Sequence, residues 1–186
     1  MVLNAFAAIS MVILLTPGPT NTVLATCGAT MGFRRAAIMP LAETCGYVIA
    51  ISFFVLCAGY VKGNQTAFIA MKIAAAAWLI YSAYRLWGAP FEFNPGIAKD
   101  LFAKVLLTTI VNPKAMLVGT VLIPSDASGG ASLWIGTYAA LSTIAGIGWV
   151  FLGSLLPIGI RQHAYRIASI VLSFFSIAAV ASTFSA

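Results

Sequence analysis

Apolar residues fill this chain in long stretches, and polar positions gather between them. A membrane-crossing helix needs about 20 apolar residues. Six stretches reach that length: about 2–31, 36–61, 67–88, 101–123, 132–156 and 164–185. A linker at 89–100, with Pro90, Glu92, Asn94, Pro95, Gly96, Lys99 and Asp100, separates the third from the fourth. Two stretches are broken internally, one by Thr16-Pro17-Gly18-Pro19-Thr20-Asn21 and one by Asn112-Pro113-Lys114. The pattern predicts an all-α integral membrane protein with six transmembrane helices, forming a single transmembrane domain over 1–186.

Composition sharpens this picture. Charged residues make up 8% of the 186 residues, against roughly 25% in soluble domains. Hydrophobic residues make up 61%, and the mean hydropathy is +1.01. Six spans leave no room for a soluble catalytic domain. The first stretch lacks the basic segment that opens a signal peptide, so it reads as a retained span.

The formal charge is +6, but the cations sit at span ends and form no basic face, which argues against nucleic-acid binding. Arg34, Arg35, Arg85, Lys99, Lys104, Arg161 and Arg166 fall at the first, third and fifth loops; only Lys62 falls at the second or fourth. The positive-inside rule then makes the odd loops cytoplasmic and both termini external. Interfacial aromatics are expected at Tyr60, Trp134 and Tyr138 on the outer side and at Tyr84, Trp87 and Tyr165 on the inner side.

Three spans followed by three more invert the second half (101–186) relative to the first (1–88). Each half opens with a proline-broken helix. Pro17 lies about 22 Å from the outer start of its span and Pro113 about 18 Å from the inner start of its own. The fold class expected is therefore two inverted three-helix repeats. Interrupted helices at corresponding places in such repeats are the best sequence pointer to a transport site.

Pro17 and Pro19 remove two amide donors, and Gly18 relaxes the steric limit on bending. In hydrocarbon the freed carbonyls need partners, and Thr16, Thr20, Asn21 and Thr22 can supply some. At the second break Asn112 suits an N-cap and Pro113 the first helical position, with Thr108 and Thr109 on the same face. Helix N-termini opening inside a membrane carry free amides and partial positive charge, so each break offers a seat for a carboxylate. Lys114 lies roughly 200° round from Asn112 on an ideal helix. It either snorkels to an interface or is turned by the break towards substrate or a carboxylate.

Glu43 is the one acidic residue well inside a span, about 11 Å from the inner end of the second helix. Ala42, Gly46 and Ala50 form a small-residue ridge beside it, while Leu41, Val48 and Val55 lie elsewhere, so Glu43 faces the bundle interior. Intramembrane carboxylates mark function by default, and this one is the candidate proton carrier. Its plainer role is to pair with a threonine or with Lys114.

Other positions read blandly. Gly136, Ala139, Ala140, Thr143, Gly146, Gly148 and Gly153 suit close helix packing. Cys45 and Cys57 are about 18 Å apart along one helix, too far for a disulfide, and Cys27 is a third, unpaired thiol. His163 is a loop residue, and Lys72 snorkels. There is no metal-ligand cluster, nucleophile elbow or phosphate loop, so neither metal nor cofactor is expected.

TPGPTN at 16–21, GFRR at 32–35 and VNPKA at 111–115, in that order across nearly the whole chain, resemble the LysE/RhtB family of amino-acid exporters. LAETCGY at 41–47 is similar to one branch of it; Ala36 and Ala42 depart where members often carry glycine. The resemblance implies a multi-pass protein of the bacterial inner membrane that exports small amino acids or their derivatives by antiport with protons. Read from the breaks and the buried carboxylate rather than from the resemblance, substrate would bind between the broken first and fourth helices, at Pro17, Gly18, Pro19, Thr20, Asn21, Asn112, Pro113 and Lys114, with Glu43 coupling the proton. The partners are an amino-acid substrate, protons and lipid, and a bundle this small can pair as a homodimer. Two other readings stay open: a passive channel or partner subunit, and a transmembrane thiol-redox enzyme.

Overall fold

The structure, a computed structural model, describes residues 3–57, 64–88, 95–124, 130–161 and 163–184. Every element among them is helical. In chain order these are α1 (Leu3–Leu15), α2 (Pro19–Met31), α3 (Phe33–Ala36), α4 (Met39–Leu56), α5 (Gln65–Trp87), α6 (Pro95–Ile110), α7 (Pro113–Leu117), one turn of π-helix (Val118–Leu122), α8 (Ala131–Ser154), α9 (Ile158–Arg161) and α10 (Ala164–Phe184).

Phe33–Leu56, Asp100–Leu122 and Ala131–Ser154 are each long and apolar enough to cross a membrane. Leu3–Leu15 and Pro19–Met31, bent by 61° at the proline segment, qualify together as a fourth; Ala164–Ala178 is a shorter apolar helix. Four of the six expected spans are thus matched by length and composition. The two breaks differ in kind. The first bends its helix sharply, whereas the second lies within one continuous stretch, Asp100–Leu122.

Local sequence explains the boundaries. Pro19 opens α2 behind an extended Gly18, and Pro113 opens α7 behind Asn112, whose side chain caps the Lys114 amide at 3.0 Å. Gly32 closes α2 at φ 76°, a conformation that a side chain disfavours, and so the chain turns into α3.

Lipid is as apolar as leucine, so helices in a bilayer are held by close packing and interhelical hydrogen bonds. Both occur here. Gly28 on α2 and Gly153 on α8 face the partner backbone at Val150 and Ala25, with no space for a side chain. Gly46 packs on Thr109, and the Ala42–Gly46–Ala50 ridge is buried as expected. Gly136 and Gly148 have no neighbour within 4 Å where a side chain would start, so only part of the small-residue set on α8 serves packing. Ser169 and Ser176 on α10 donate to the Ala83 and Ala76 carbonyls of α5 at 2.6 and 2.9 Å, and the Thr44 and Thr143 hydroxyls meet at 2.8 Å.

These contacts fix relative directions. Phe6 packs on Trp134, and Leu14 meets Trp149, so α1 and α8 run parallel. Phe33 meets Phe151 while Tyr47 meets Tyr138, so α4 and α8 run antiparallel. α4 runs parallel to the Asp100–Leu122 stretch, since Gly46 meets Leu106 and Phe54 meets Gly119. α5 and α10 are antiparallel.

The aromatic belt needs correction. Tyr84 and Trp87 are exposed as expected, but Trp134, Tyr138 and Tyr165 are buried. Trp134 and Tyr138 turn inward because Phe6 supplies an aromatic partner, at 5.0 and 6.5 Å between ring centroids. Tyr60, Lys62, the Lys72 side chain and residues 89–94 lie outside the described residues, and 95–100, expected as linker, instead form the start of α6.

Candidate functional site

The two breaks touch. Asn112 Nδ2 donates to Thr20 Oγ1 at 3.0 Å, across 92 positions of sequence. Thr109 Oγ1 stands 3.4 Å from the same Thr20 oxygen and donates to the Val105 carbonyl at 2.8 Å. Thr20, Asn21, Thr109 and Asn112 are all buried. The two breaks, expected to mirror each other about the midplane, are joined directly by these side-chain hydrogen bonds.

The end of α1 is closed by side chains from three elements. Asn21 Nδ2 donates to the Leu14 and Thr16 carbonyls at 2.8 and 2.9 Å. Trp149 Nε1 reaches Leu14 O at 3.3 Å. Lys114 Nζ donates to Ile13 O at 2.8 Å and Thr16 O at 2.6 Å. Lys114 therefore neither snorkels nor pairs with a carboxylate; it crosses the junction to the negative end of a helix dipole, where a cation is favoured. Gly18 makes this reach feasible, because a Cβ there would stand 3.1 Å from Lys114 Nζ.

Of the two expected carboxylate seats, the second is already filled. Pro113 has no amide hydrogen, Asn112 Oδ1 takes the Lys114 amide, and Asn112 O takes that of Ala115 at 3.0 Å. The start of α2 is different. Gly18 provides no side-chain cap, and Thr22 is the residue whose amide bonds back to Gly18 O, at 2.9 Å. The amides of Thr20 and Asn21 are the leading donors of this helix. Thr16, Pro17 and Pro113 are exposed and Lys114 half-buried, so the junction is open on one side.

Beside the junction, and sharing Asn112 and Pro113 with it, lies a hollow of about 360 Å³, also bordered by Ile49, Phe53 and Phe54 of α4, Ala74 of α5, and Met116. That volume suits a small molecule. Asn112 is the polar side chain of the lining, and it also joins the breaks.

Glu43 is 1% exposed, as its place on the interior face of α4 requires. Its Oε2 has no hydrogen-bond partner among the described residues. Gly146 of α8 gives it room, since a Cβ there would lie 2.6 Å from that oxygen. Lys114 is already engaged with the α1 carbonyls. Among the described residues no group of His, Cys, Asp or Glu could hold a metal ion, and Cys27, Cys45 and Cys57 are free.

All eight break residues thus come together, with Glu43 on the neighbouring helix. Trp149 and Trp78 (Nε1 to Thr108 Oγ1, 2.9 Å) belong to the same surroundings and were not singled out in the sequence, and Gly146, expected only to serve helix packing, borders Glu43. Their roles depend on partners many residues away, which no local pattern reveals.

No family model and no solved structure matches the chain. Curated relatives do. A cysteine/O-acetylserine efflux protein from Escherichia coli is 25% identical over 188 residues, covering 94% of this chain and 93% of its own. Proteins of the same description from Shigella sonnei and Shigella flexneri are each 25% identical over 184 residues, covering 92% and 91%. These relatives bear out, at the level of the family, the resemblance to LysE/RhtB-type exporters carried by the break motifs. They are efflux proteins and not enzymes, and this chain is a multi-pass membrane protein related to them.

Proposed function

We propose that this chain is a secondary exporter of small amino acids or amino-acid derivatives across a bacterial inner membrane. The observation that carries the reading is the contact between the breaks, where Thr20 meets Asn112 and Lys114 meets Thr16. In a bundle related to efflux proteins, these bonds hold the site shut without cargo. The amides of Thr20 and Asn21 and the Lys114 ammonium on the open side are donors for a carboxylate. Asn112 and Thr20 exchange their mutual bond for bonds to cargo. Neutral partners dominate the junction, which suits small zwitterions; the relatives' cysteine and O-acetylserine are the first candidates.

The architecture belonging to this reading is six spans in two inverted repeats, with both termini external. The packing supports it, since α4 pairs with α8, α5 with α10, and one break with the other, each element beside its counterpart. Glu43 carries the coupling proton. One proton falling through roughly 150 mV yields about 3.5 kcal/mol, enough for a gradient of a few hundredfold at about 1.4 kcal/mol per decade.

The test is uptake of labelled cysteine, O-acetylserine and other small neutral amino acids into inside-out vesicles under an acid-inside gradient. Saturable uptake that collapses with a protonophore is expected; its absence for every solute overturns the proposal. A passive channel would equilibrate solute without saturable counterflow.

A further inference from the structure

Seven buried side-chain atoms have no hydrogen-bond partner among the described residues: Ser10 Oγ, Glu43 Oε2, Tyr47 Oη, Ser82 Oγ, Trp134 Nε1, Tyr138 Oη and Ser142 Oγ. All but Ser82 lie in one column between α1, α4 and α8. On α8, Trp134, Tyr138 and Ser142 recur every fourth residue and so share a face. On α4, Tyr47 stands one turn beyond Glu43. On α1, Ser10 falls on the buried face between Phe6 and Leu14. The rings tie the column together: Tyr47 to Tyr138 at 5.1 Å between centroids and Phe6 to Trp134 at 5.0 Å. The Thr44–Thr143 hydroxyl bond fixes the register of α4 and α8 at the level of Glu43.

Ser142 neighbours Glu43 and Tyr47 neighbours Tyr138 without closing a hydrogen bond, and a cluster of buried polar atoms left so points to bound water. The column is also one-sided. From Glu43 towards Trp134 it offers hydroxyls. In the other direction Met39 and Ala42 join a core with Val23, Leu24 and Met31 that is built from apolar side chains.

We infer that this column is a hydrated proton path that joins Glu43 to the end of the bundle where α8 begins, and that the apolar core closes the carboxyl from the opposite end. Each hydroxyl of Tyr138, Tyr47 and Ser142 accepts a proton from one neighbour and passes its own to the next, so the file is restored once its hydroxyls turn back. Glu43 is the final acceptor. Trp134 is a donor only and holds a water at the mouth. Tyr47 and Tyr138 face the carboxyl's side of the column. Lys114, the cation on α7 whose field reaches Glu43, stays bound to the α1 carbonyls. The inference rests on the exporter reading, in which the end of the bundle where α8 begins is external. It adds the route and the side from which the proton arrives.

The test needs no cargo. In reconstituted full-length protein, the infrared carbonyl band of protonated Glu43, assigned by its loss in Glu43→Gln, shifts when the solvent is exchanged for D2O. Tyr138→Phe and Tyr47→Phe keep the rings and remove the hydroxyls. Ser142→Ala disturbs packing least and decides alone should a tyrosine variant fail to fold. Each should slow the shift by on the order of a hundredfold. An unchanged rate in every variant that folds overturns the path, as does the absence of an assignable Glu43 band at any pH. If the slowing is observed but the wild type exports no amino acid, the path stands and the exporter reading falls.

Discussion

The ammonium of Lys114 sits 2.6 Å from the carbonyl oxygen of Thr16, 98 positions earlier in the chain. One break thereby supplies the cation that caps the other. A helix that ends inside a membrane exposes carbonyls that lipid cannot satisfy, and Lys114 covers two of them. Lys114→Met should leave the Ile13 carbonyl unpartnered, while Asn21 still serves Thr16. The expected cost is about 1–3 kcal/mol, seen as a lower midpoint in thermal unfolding of the detergent-purified protein.

Gly18 and Lys114 should act as one unit. A Cβ on Gly18 would stand 3.1 Å from Nζ and 3.2 Å from Cε of Lys114, so Gly18→Ala should make the lysine give by a few tenths of an ångström and weaken its bonds to the carbonyls. Combined with Lys114→Met, the alanine should cost little more than the methionine alone. A double-mutant cycle on unfolding midpoints measures this: a coupling above about 0.5 kcal/mol is expected, and additivity would contradict the contact.

The bond between Thr20 and Asn112 separates two contributions. Thr20→Val removes the acceptor and strands Asn112 Nδ2. Asn112→Ala removes the bond and also the cap on the Lys114 amide, which is worth a further 0.5–2 kcal/mol or about that. Asn112→Ala should therefore be the less stable variant, and both should raise the cargo concentration needed for half-maximal transport. Equal stability of the two would show that Asn112 is not the cap.

Glu43 and Gly146 should share a phenotype. Glu43→Gln removes the exchangeable proton at nearly constant shape. Gly146→Ala would place a Cβ 2.6 Å from Glu43 Oε2 and displace the carboxyl. In inside-out vesicles, both should lose uptake driven by a pH gradient by more than they lose exchange of cargo for cargo. Normal gradient-driven uptake in Glu43→Gln would remove the carboxyl from the mechanism.

Much of this arrangement was legible in the sequence because its signals are local. Proline at the first helical turn, asparagine before it and a small-residue ridge beside Glu43 all act within one or two turns, and the helices form where these signals put them. The cap on α1 was not legible. Counted along an ideal helix, Lys114 points away from Asn112, and only the packing of the two broken helices shows that the carbonyls of residues 13 and 16 lie within its reach. Trp134 and Tyr138 misled for a related reason. Aromatics near helix ends favour the interface, but Phe6 and Tyr47 offered them an interior stack that lies far away in sequence.

The most direct measurement of the central claim is counterflow of labelled amino acid by a chain carrying Thr20→Cys and Asn112→Cys, with Cys27, Cys45 and Cys57 replaced by alanine. A bond between positions 20 and 112 would hold the two breaks in the contact seen here. The account predicts that oxidation arrests counterflow in proportion to the cross-linked fraction and that a reductant restores it. Undiminished counterflow through a fully cross-linked protein would mean that cargo does not pass between the breaks.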